Sequence, residues 1–326
     1  MEAAQTRPPA DSVAADDLVL PFQADRAGVS GRLARLGPAV DEILRGHGYP
    51  EPVCKLLGEA VALTALLGAS LKFEGKFTFQ TKTDGPVNLL VVDYGSSGTL
   101  RGYAGFDAEA VAALAAKGEI APGDLLGKGH LAMTIERGPG MDNYQGVVAL
   151  EGGNLNEAAD AYFRQSEQLP TFIRVAVARH YSADASGGGD KQDNWSWRAG
   201  GLMVQHLTRE GGHGVPEKVS DEDGWNRAVI LAETVQDQEL VDPLLAPERL
   251  IYRLFHDEHV RVFEPRSLAF QCGCSPERVK SMLNNFSAAE RDDMAEDGRI
   301  RVTCQFCNAT YDFDPADFEQ TPRASN

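Results

Sequence analysis

Four of the five cysteines in this 326-residue chain lie in one C-terminal stretch, and their spacing limits what that stretch can fold into. Cys272 and Cys274 form a CxC pair, Cys304 and Cys307 form a CxxC pair, and 29 residues separate the two pairs. Four thiolates spaced in this way can surround one tetrahedral zinc ion. The same thiols could instead form permanent disulfides or act as a redox centre.

The cellular compartment helps to choose between these alternatives. The first 17 residues lack the basic and apolar regions of a signal peptide, and they predict a short disordered tail over 1–17. The longest apolar stretch, Ala60 to Leu71, is too short to span a bilayer and is typical of a buried helix. We therefore expect a cytoplasmic protein with no membrane partner, where thiols stay reduced and structural disulfides are rare.

The sequence around the CxxC pair favours a metal site over a thioredoxin-type redox pair. A redox pair should open a helix, whose N-terminus lowers the thiol pKa. Here Cys304 and Cys307 are expected at the tip of a hairpin, because strand-like residues precede and follow them. A small segment with a thin core would also gain much of its folding energy from the metal. We predict one zinc ion per chain, bound in the reduced state by Cys272, Cys274, Cys304 and Cys307.

The charge of the chain argues against a nucleic-acid partner. The net charge is −17, and acidic residues outnumber basic ones in the stretch from Arg266 to the C-terminus. Such a surface repels phosphate backbones. A zinc-ribbon protein that binds nucleic acid is thus the weaker alternative, and a thiol-disulfide oxidoreductase is a second one, weakened by the hairpin context of the CxxC pair.

The N-terminal part of the sequence, residues 18–210, predicts an α+β domain with a mostly antiparallel sheet and packed helices. Its many short strands are joined by glycine-containing turns. The segment VSGRLARLG alternates as a half-buried strand does, and a long apolar helix is expected from about Val53 to Ser70. Cys54, inside this helix, is interpreted as a small buried residue and not as a redox partner.

The rest of the chain predicts a helical linker over 215–265, a small zinc-binding domain over 266–319, and a tail over 320–326. Two linker helices, near Trp225 and after Pro247, are short and need a partner surface to stay folded. In the zinc-binding domain Ser275 is expected to cap one helix, and Ser287 with Glu290 forms a capping box for another.

Segments from most of the chain resemble the 33 kDa chaperonin (heat shock protein 33) family of redox-regulated bacterial chaperones. The matching segments include LGEAVALTALLGASLKFEGKFTFQTKTDGPVNLLV, LLGKGHLAMTI, YFRQSEQLPT, RAGGLMVQHL, RLFHDEHVRVFEP, FQCGCSPERV and AEDGRIRVTCQFC. The CxC pair followed by a CxxC pair, after a helical linker, is specific to that family, and the cysteine pattern shows no departure from it.

The resemblance implies a chaperone that works without ATP and is not an enzyme. It implies that the reduced, zinc-bound protein is inactive, and that oxidation releases zinc and pairs Cys272 with Cys274 and Cys304 with Cys307. The linker and the C-terminal segment would then unfold. The activated protein would bind unfolding client proteins, prevent their aggregation, and form a homodimer.

Overall fold

The computed structural model describes residues 16–71, 73–118, 120–137, 142–163, 169–182, 194–207 and 221–318. The chain forms two compact units that divide between Phe270 and Gln271. Most of the predicted N-terminal tail, the beginning of the predicted linker and the tail over 320–326 lie outside the described residues. Asp16 and Asp17, which the sequence places in the disordered tail, are hydrogen-bonded to Arg198 and to the amide of Gly37. The ordered chain therefore begins no later than Asp16.

The first sheet of the N-terminal unit is antiparallel, in the order β10-β1-β2-β9-β8, with β11 also paired to β1. Its strands are β1 Leu18–Ala24, β2 Val29–Leu36, β8 Thr171–Tyr181, β9 Trp195–His206, β10 Val260–Val262 and β11 Arg266–Ser267. The alternating pattern of β2 predicted one exposed face, and this is wrong. No residue of β2 is exposed, because the strand is central and both of its faces are covered.

The second sheet of the same unit has the order β12-β5-β4-β3-β6-β7. It is antiparallel except where β12 runs parallel to β5. Its strands are β3 Lys76–Thr83, β4 Val87–Gly95, β5 Thr99–Phe106, β6 Lys128–Glu136, β7 Tyr144–Glu151 and β12 Ala269–Phe270. The short segment from β11 to β12 thus pairs with both sheets within five residues.

The helix α2, Glu51–Ser70, packs against strands of both sheets. It is apolar around most of its circumference, as a helix enclosed on all sides must be. Among the described residues it is the one helix long and apolar enough to cross a membrane, but 83% of its apolar window is buried in the protein. The predicted buried helix is confirmed. Shorter helices surround it: α1 Pro38–Arg45, α3 Ala108–Ala115, α4 Pro122–Leu126 and α5 Leu155–Tyr162.

Three helices from the predicted linker cover the opposite face of the first sheet. They are α6 Asp221–Glu233, α7 Asp237–Val241 and α8 Pro247–Phe255. Strand alternation separates the two faces: Leu33 of β2 lies under these helices, whereas Ala34 lies in the core around α2. The apolar face of α8 is fully buried, while Trp225 and Val229 of α6 are only half-buried. The linker helices do have the partner surface that their sequence requires.

The C-terminal unit is small. It contains α9 Pro276–Leu283, α10 Ala288–Asp293 and the hairpin of β13 Ile300–Thr303 with β14 Thr310–Phe313. The predicted caps are confirmed, because Ser275 accepts from the amide of Arg278 and Ser287 forms a capping box with Glu290. Its buried apolar core consists of the following residues: Leu283, Ile300, Phe313 and Phe318.

The α+β fold with largely antiparallel sheets is confirmed. The predicted domain bounds stay a prediction. The strands at 266–270, which the sequence assigns to the zinc-binding domain, pair with the sheets of the N-terminal unit.

Candidate metal centre

Two local turns bring the four C-terminal cysteines together. Cys272 and Cys274 lie in the extended segment just before α9. Cys304 and Cys307 lie in the turn between β13 and β14, where the amide of Asn308 donates to the carbonyl of Cys304 at 2.9 Å. Asn308 has a φ of 57°, a left-handed conformation that asparagine tolerates better than most residues. The CxxC pair is therefore at the tip of the hairpin, as its sequence predicts.

The four sulfurs form one cluster, with every pair of Sγ atoms within 4.8 Å. The Sγ atoms of Cys272 and Cys274 are 3.4 Å apart, those of Cys272 and Cys304 are 3.7 Å apart, and those of Cys274 and Cys307 are 3.2 Å apart. All four thiols are free. Four sulfurs around a tetrahedral zinc at 2.3 Å would be separated by about 3.8 Å. The sulfur cluster therefore fits a tetrahedral metal ion with small adjustments.

The side chain of Tyr311 acts directly on the cluster. The hydroxyl of Tyr311, on β14, donates to Sγ of Cys274 at 3.2 Å. This hydrogen bond is the main cause that lowers the pKa of Cys274 to about 7, while burial raises the pKa values of Cys272 and Cys307. Cys274 in turn raises the pKa of Tyr311 to about 12. A thiol that ionises near neutral pH is ready to bind a metal, because the thiolate is the ligand.

Tyr311 was missed by sequence reasoning, which considered only the cysteines. The available signal was a hydroxyl-bearing residue four positions after Cys307, at the beginning of the strand that leaves the CxxC turn. Antiparallel pairing places Tyr311 beside Val302, two residues before Cys304. Nothing in the spacing alone specifies which sulfur its hydroxyl contacts.

Cys54 takes no part in this cluster. It is almost fully buried in α2, and its Sγ lies 3.5 Å from the carbonyl oxygen of Tyr49. Burial raises the pKa of Cys54 to about 11, so this thiol stays protonated and unreactive at neutral pH. The interpretation of Cys54 as a buried structural residue is confirmed.

Comparison with known proteins agrees with the site and the fold. The model of the Hsp33 protein family matches residues 17–314. The chain belongs to the Hsp33 family. Hsp33 proteins are chaperones and not enzymes, so the resemblance noted in the sequence and the expectation of a non-enzymatic chaperone are both confirmed.

Individual Hsp33 relatives match almost the whole chain. The 33 kDa chaperonin of Caulobacter vibrioides is 44% identical over 308 residues, which cover 94% of this chain and 97% of that protein. The 33 kDa chaperonin of Shewanella sediminis is 38% identical over 300 residues, covering 90% and 92% of the two chains. A crystal structure of the 33 kDa chaperonin from Thermotoga maritima has a TM-score of 0.71 over 92% of this chain and 96% of that one, at 21% identity. The last comparison shows that the Hsp33 fold is shared.

Proposed function

We propose that this Hsp33-family chain is a redox-regulated, ATP-independent holdase. When its zinc-binding cysteines are oxidised, it binds thermally unfolding or oxidatively damaged proteins and prevents their irreversible aggregation. The observation that carries the proposal is a four-sulfur cluster in a unit whose described residues include only four buried apolar side chains. A unit so dependent on its metal unfolds when the metal ligands are lost.

In the reduced state, Cys272, Cys274, Cys304 and Cys307 would hold one zinc ion. Zinc would supply folding energy and no redox chemistry of its own. The thiolates remain nucleophiles, and the hydrogen bond from Tyr311 lowers the pKa of Cys274, which favours the ionised form that binds metal.

Oxidation by a peroxide would proceed on the sulfurs. One thiolate attacks the O–O bond, takes one oxygen to become a sulfenic acid, and releases hydroxide. A second thiolate attacks that sulfur and displaces a second hydroxide, so two thiolates and one peroxide give one disulfide. The distances between the sulfurs do not determine which cysteines form disulfides with each other. The pairing of Cys272 with Cys274 and of Cys304 with Cys307 follows from the family resemblance.

Loss of the metal would unfold the C-terminal unit, and α6–α8 would leave the first sheet. The covered face of that sheet is apolar, and large exposed apolar surfaces bind other chains. Unfolded client proteins would occupy the exposed surface. We also propose that the active form is a homodimer and that the protein works in the cytoplasm, as the family resemblance implies.

A light-scattering assay tests the proposal. A thermally unfolding client is heated with reduced protein, with peroxide-treated protein, and with each form of a Cys54→Ser control. We expect suppression of aggregation only by the oxidised forms, with the control behaving like the wild type. Equal suppression by reduced and oxidised protein would contradict a redox switch. Salt-sensitive binding to RNA or reduction of insulin, without suppression, would favour the two alternatives.

A further inference from the structure

The face of the first sheet that α6–α8 cover contains two buried arginines, whose partners are mostly main-chain atoms. Arg35 of β2 is fully buried and donates to the carbonyl of Asp242, to that of Leu245 at 2.7 Å and to that of Glu239 at 3.2 Å. Arg198 of β9 donates from Nε to the carbonyl of Val241 at 2.7 Å. These four carbonyls belong to α7 and to the irregular chain that joins it to α8.

A glycine between the two arginines makes room for the same piece of chain. Gly200 of β9 pairs with Arg35 of β2 across the sheet. A Cβ atom at position 200 would lie 2.1 Å from the carbonyl oxygen of Leu240, so only glycine allows this approach. The carbonyls of residues 239–242 and 245 thus all face one small area, which we call the carbonyl cradle: Arg35, Arg198 and Gly200.

The chemistry of the carbonyl cradle differs from that of an ordinary packed interface. Arg198 also holds the carboxylate of Asp16, with contacts of 2.5 and 2.8 Å. Arg35 donates to three main-chain carbonyls, and its buried Nε has no hydrogen-bond partner within the described part of the chain. Burying a guanidinium is costly, and Arg35 offsets that cost through its carbonyl hydrogen bonds and the nearby charges of Asp16, Asp242 and Glu248. Because these hydrogen bonds go to main-chain carbonyls, they do not depend on the side chains of the segment that Arg35 holds.

Apolar side chains surround the carbonyl cradle on the same face of the sheet. Leu33 and Leu202 belong to this face, and the fully buried side chain of Leu240 packs among them. The occupant in the closed protein is therefore the end of α7 and the irregular chain after it, which present main-chain carbonyls and a buried leucine to the sheet. Every unfolded protein offers carbonyls beside apolar side chains.

We propose that the carbonyl cradle is a binding site for the main chain of unfolded polypeptides. In the closed protein, residues 239–245 of the same chain occupy this site. The inference rests on the proposed function, because clients reach this site only after α6–α8 are released. Every sequence has main-chain carbonyl groups, and a guanidinium can donate hydrogen bonds to them whatever the side chains are. The site thus accepts any unfolded segment that presents carbonyls and an apolar side chain.

The test uses the full-length protein after peroxide treatment, with fluorescently labelled, reduced and carboxymethylated α-lactalbumin as a permanently unfolded client. Client affinity is measured by fluorescence anisotropy for the wild type and for Arg35→Met. We expect the variant to bind at least about tenfold more weakly, because hydrogen bonds from a charged group to carbonyls are lost. Zinc release is measured in parallel and should be the same, since Arg35 lies outside the C-terminal unit.

Arg32→Met is the matched control. Arg32 is on the same strand, its side chain contacts Gln205 at 3.4 Å, and the substitution changes the net charge equally. The control should keep the client affinity of the wild type. An unlabelled peptide of residues 236–246 should displace the client from the oxidised wild type.

A second variant keeps the proposal testable if Arg35→Met does not fold. Gly200→Ala adds a methyl group to the carbonyl cradle without changing charge, and it should weaken client binding several-fold. Wild-type affinity in folded Arg35→Met or in Gly200→Ala would overturn the carbonyl cradle while leaving the holdase intact. No client binding by the oxidised wild type would instead overturn the proposed function, and the inference with it.

Discussion

At the residue scale, the hydroxyl of Tyr311 is the side-chain contact that tunes the sulfur cluster. Its hydrogen bond stabilises the thiolate of Cys274, and such contacts to metal ligands raise metal affinity. We expect Tyr311→Phe to weaken zinc binding by on the order of tenfold and to speed zinc release by peroxide, because the thiolate loses a stabilising donor. Competition with a chromophoric chelator measures the affinity.

The neighbouring residue Thr310 provides the control for this prediction. Its hydroxyl lies 3.3 Å from that of Thr303 on the same hairpin and contacts no sulfur in the described structure. Thr310→Val removes a hydroxyl while keeping a strand-forming residue. Equal zinc affinities for Tyr311→Phe, Thr310→Val and the wild type would rule out a role for the phenol.

A second residue-scale prediction concerns pH. Burial, and then the negative charge of Asp237, raise the pKa of Glu59 to about 7. Because this folded-state pKa exceeds the unfolded value, the stabilising effect of the protonated form is complete below about pH 4.5 and is lost as pH rises through 7. Glu59→Gln should unfold at nearly the same denaturant concentration as the wild type at pH 5. At pH 8 it should be more stable, by on the order of 2 kcal/mol.

Denaturation followed by tryptophan fluorescence measures this effect, because all three tryptophans lie in the N-terminal unit. Glu51→Gln serves as the control, since Glu51 is at the exposed beginning of the same helix and pairs with Lys55 at 2.9 Å. That ion pair lowers the pKa of Glu51, so the control should not gain stability at pH 8. A pH-independent difference between Glu59→Gln and the wild type would contradict the shifted pKa.

At the scale of elements, α6–α8 should be the first part of the N-terminal unit to open. α7 has only five residues, α8 has nine, and a proline-containing connection separates them. Helices this short depend on the surface beneath them. Hydrogen exchange of the reduced protein should show residues 225–255 opening with a lower free energy than β2 and β9. Protection equal to that of these central strands would argue against a switch built on this layer.

The same elements show how far the sequence could predict the structure. Caps, the C-terminal hairpin and the long apolar helix follow from local patterns, because each depends on residues a few positions apart. The environment of Arg35 does not follow from local patterns. The alternation of its strand ends before Arg35, which lies on the same face as Leu33, and the distant chain over 239–245 covers the guanidinium. The contact of Tyr311 with Cys274 also arises from tertiary packing.

At the scale of the whole molecule, the two units should differ in their dependence on metal. The N-terminal unit has an extensive core around α2, whereas the part of the C-terminal unit that the structure describes, up to Phe318, has only four buried apolar residues. We expect a strong chelator, added to the reduced protein, to abolish hydrogen-exchange protection over residues 276–313 and to leave β2, β4 and β9 protected. Persistent protection of the C-terminal hairpin without metal would show that the unit folds by its own packing.

The strands β11 and β12 determine how the chain between β9 and β11 stays attached when it leaves the first sheet. β9 fixes the chain up to His206, and β11 and β12 fix it again from Arg266 to Phe270, where Leu268 is buried in the main core. A segment that leaves the first sheet is therefore a closed loop anchored at both ends, and not a free arm. Ring closure keeps its local concentration high and makes rebinding an intramolecular event. The tethered loop would therefore compete directly with any other chain for the covered face of the first sheet.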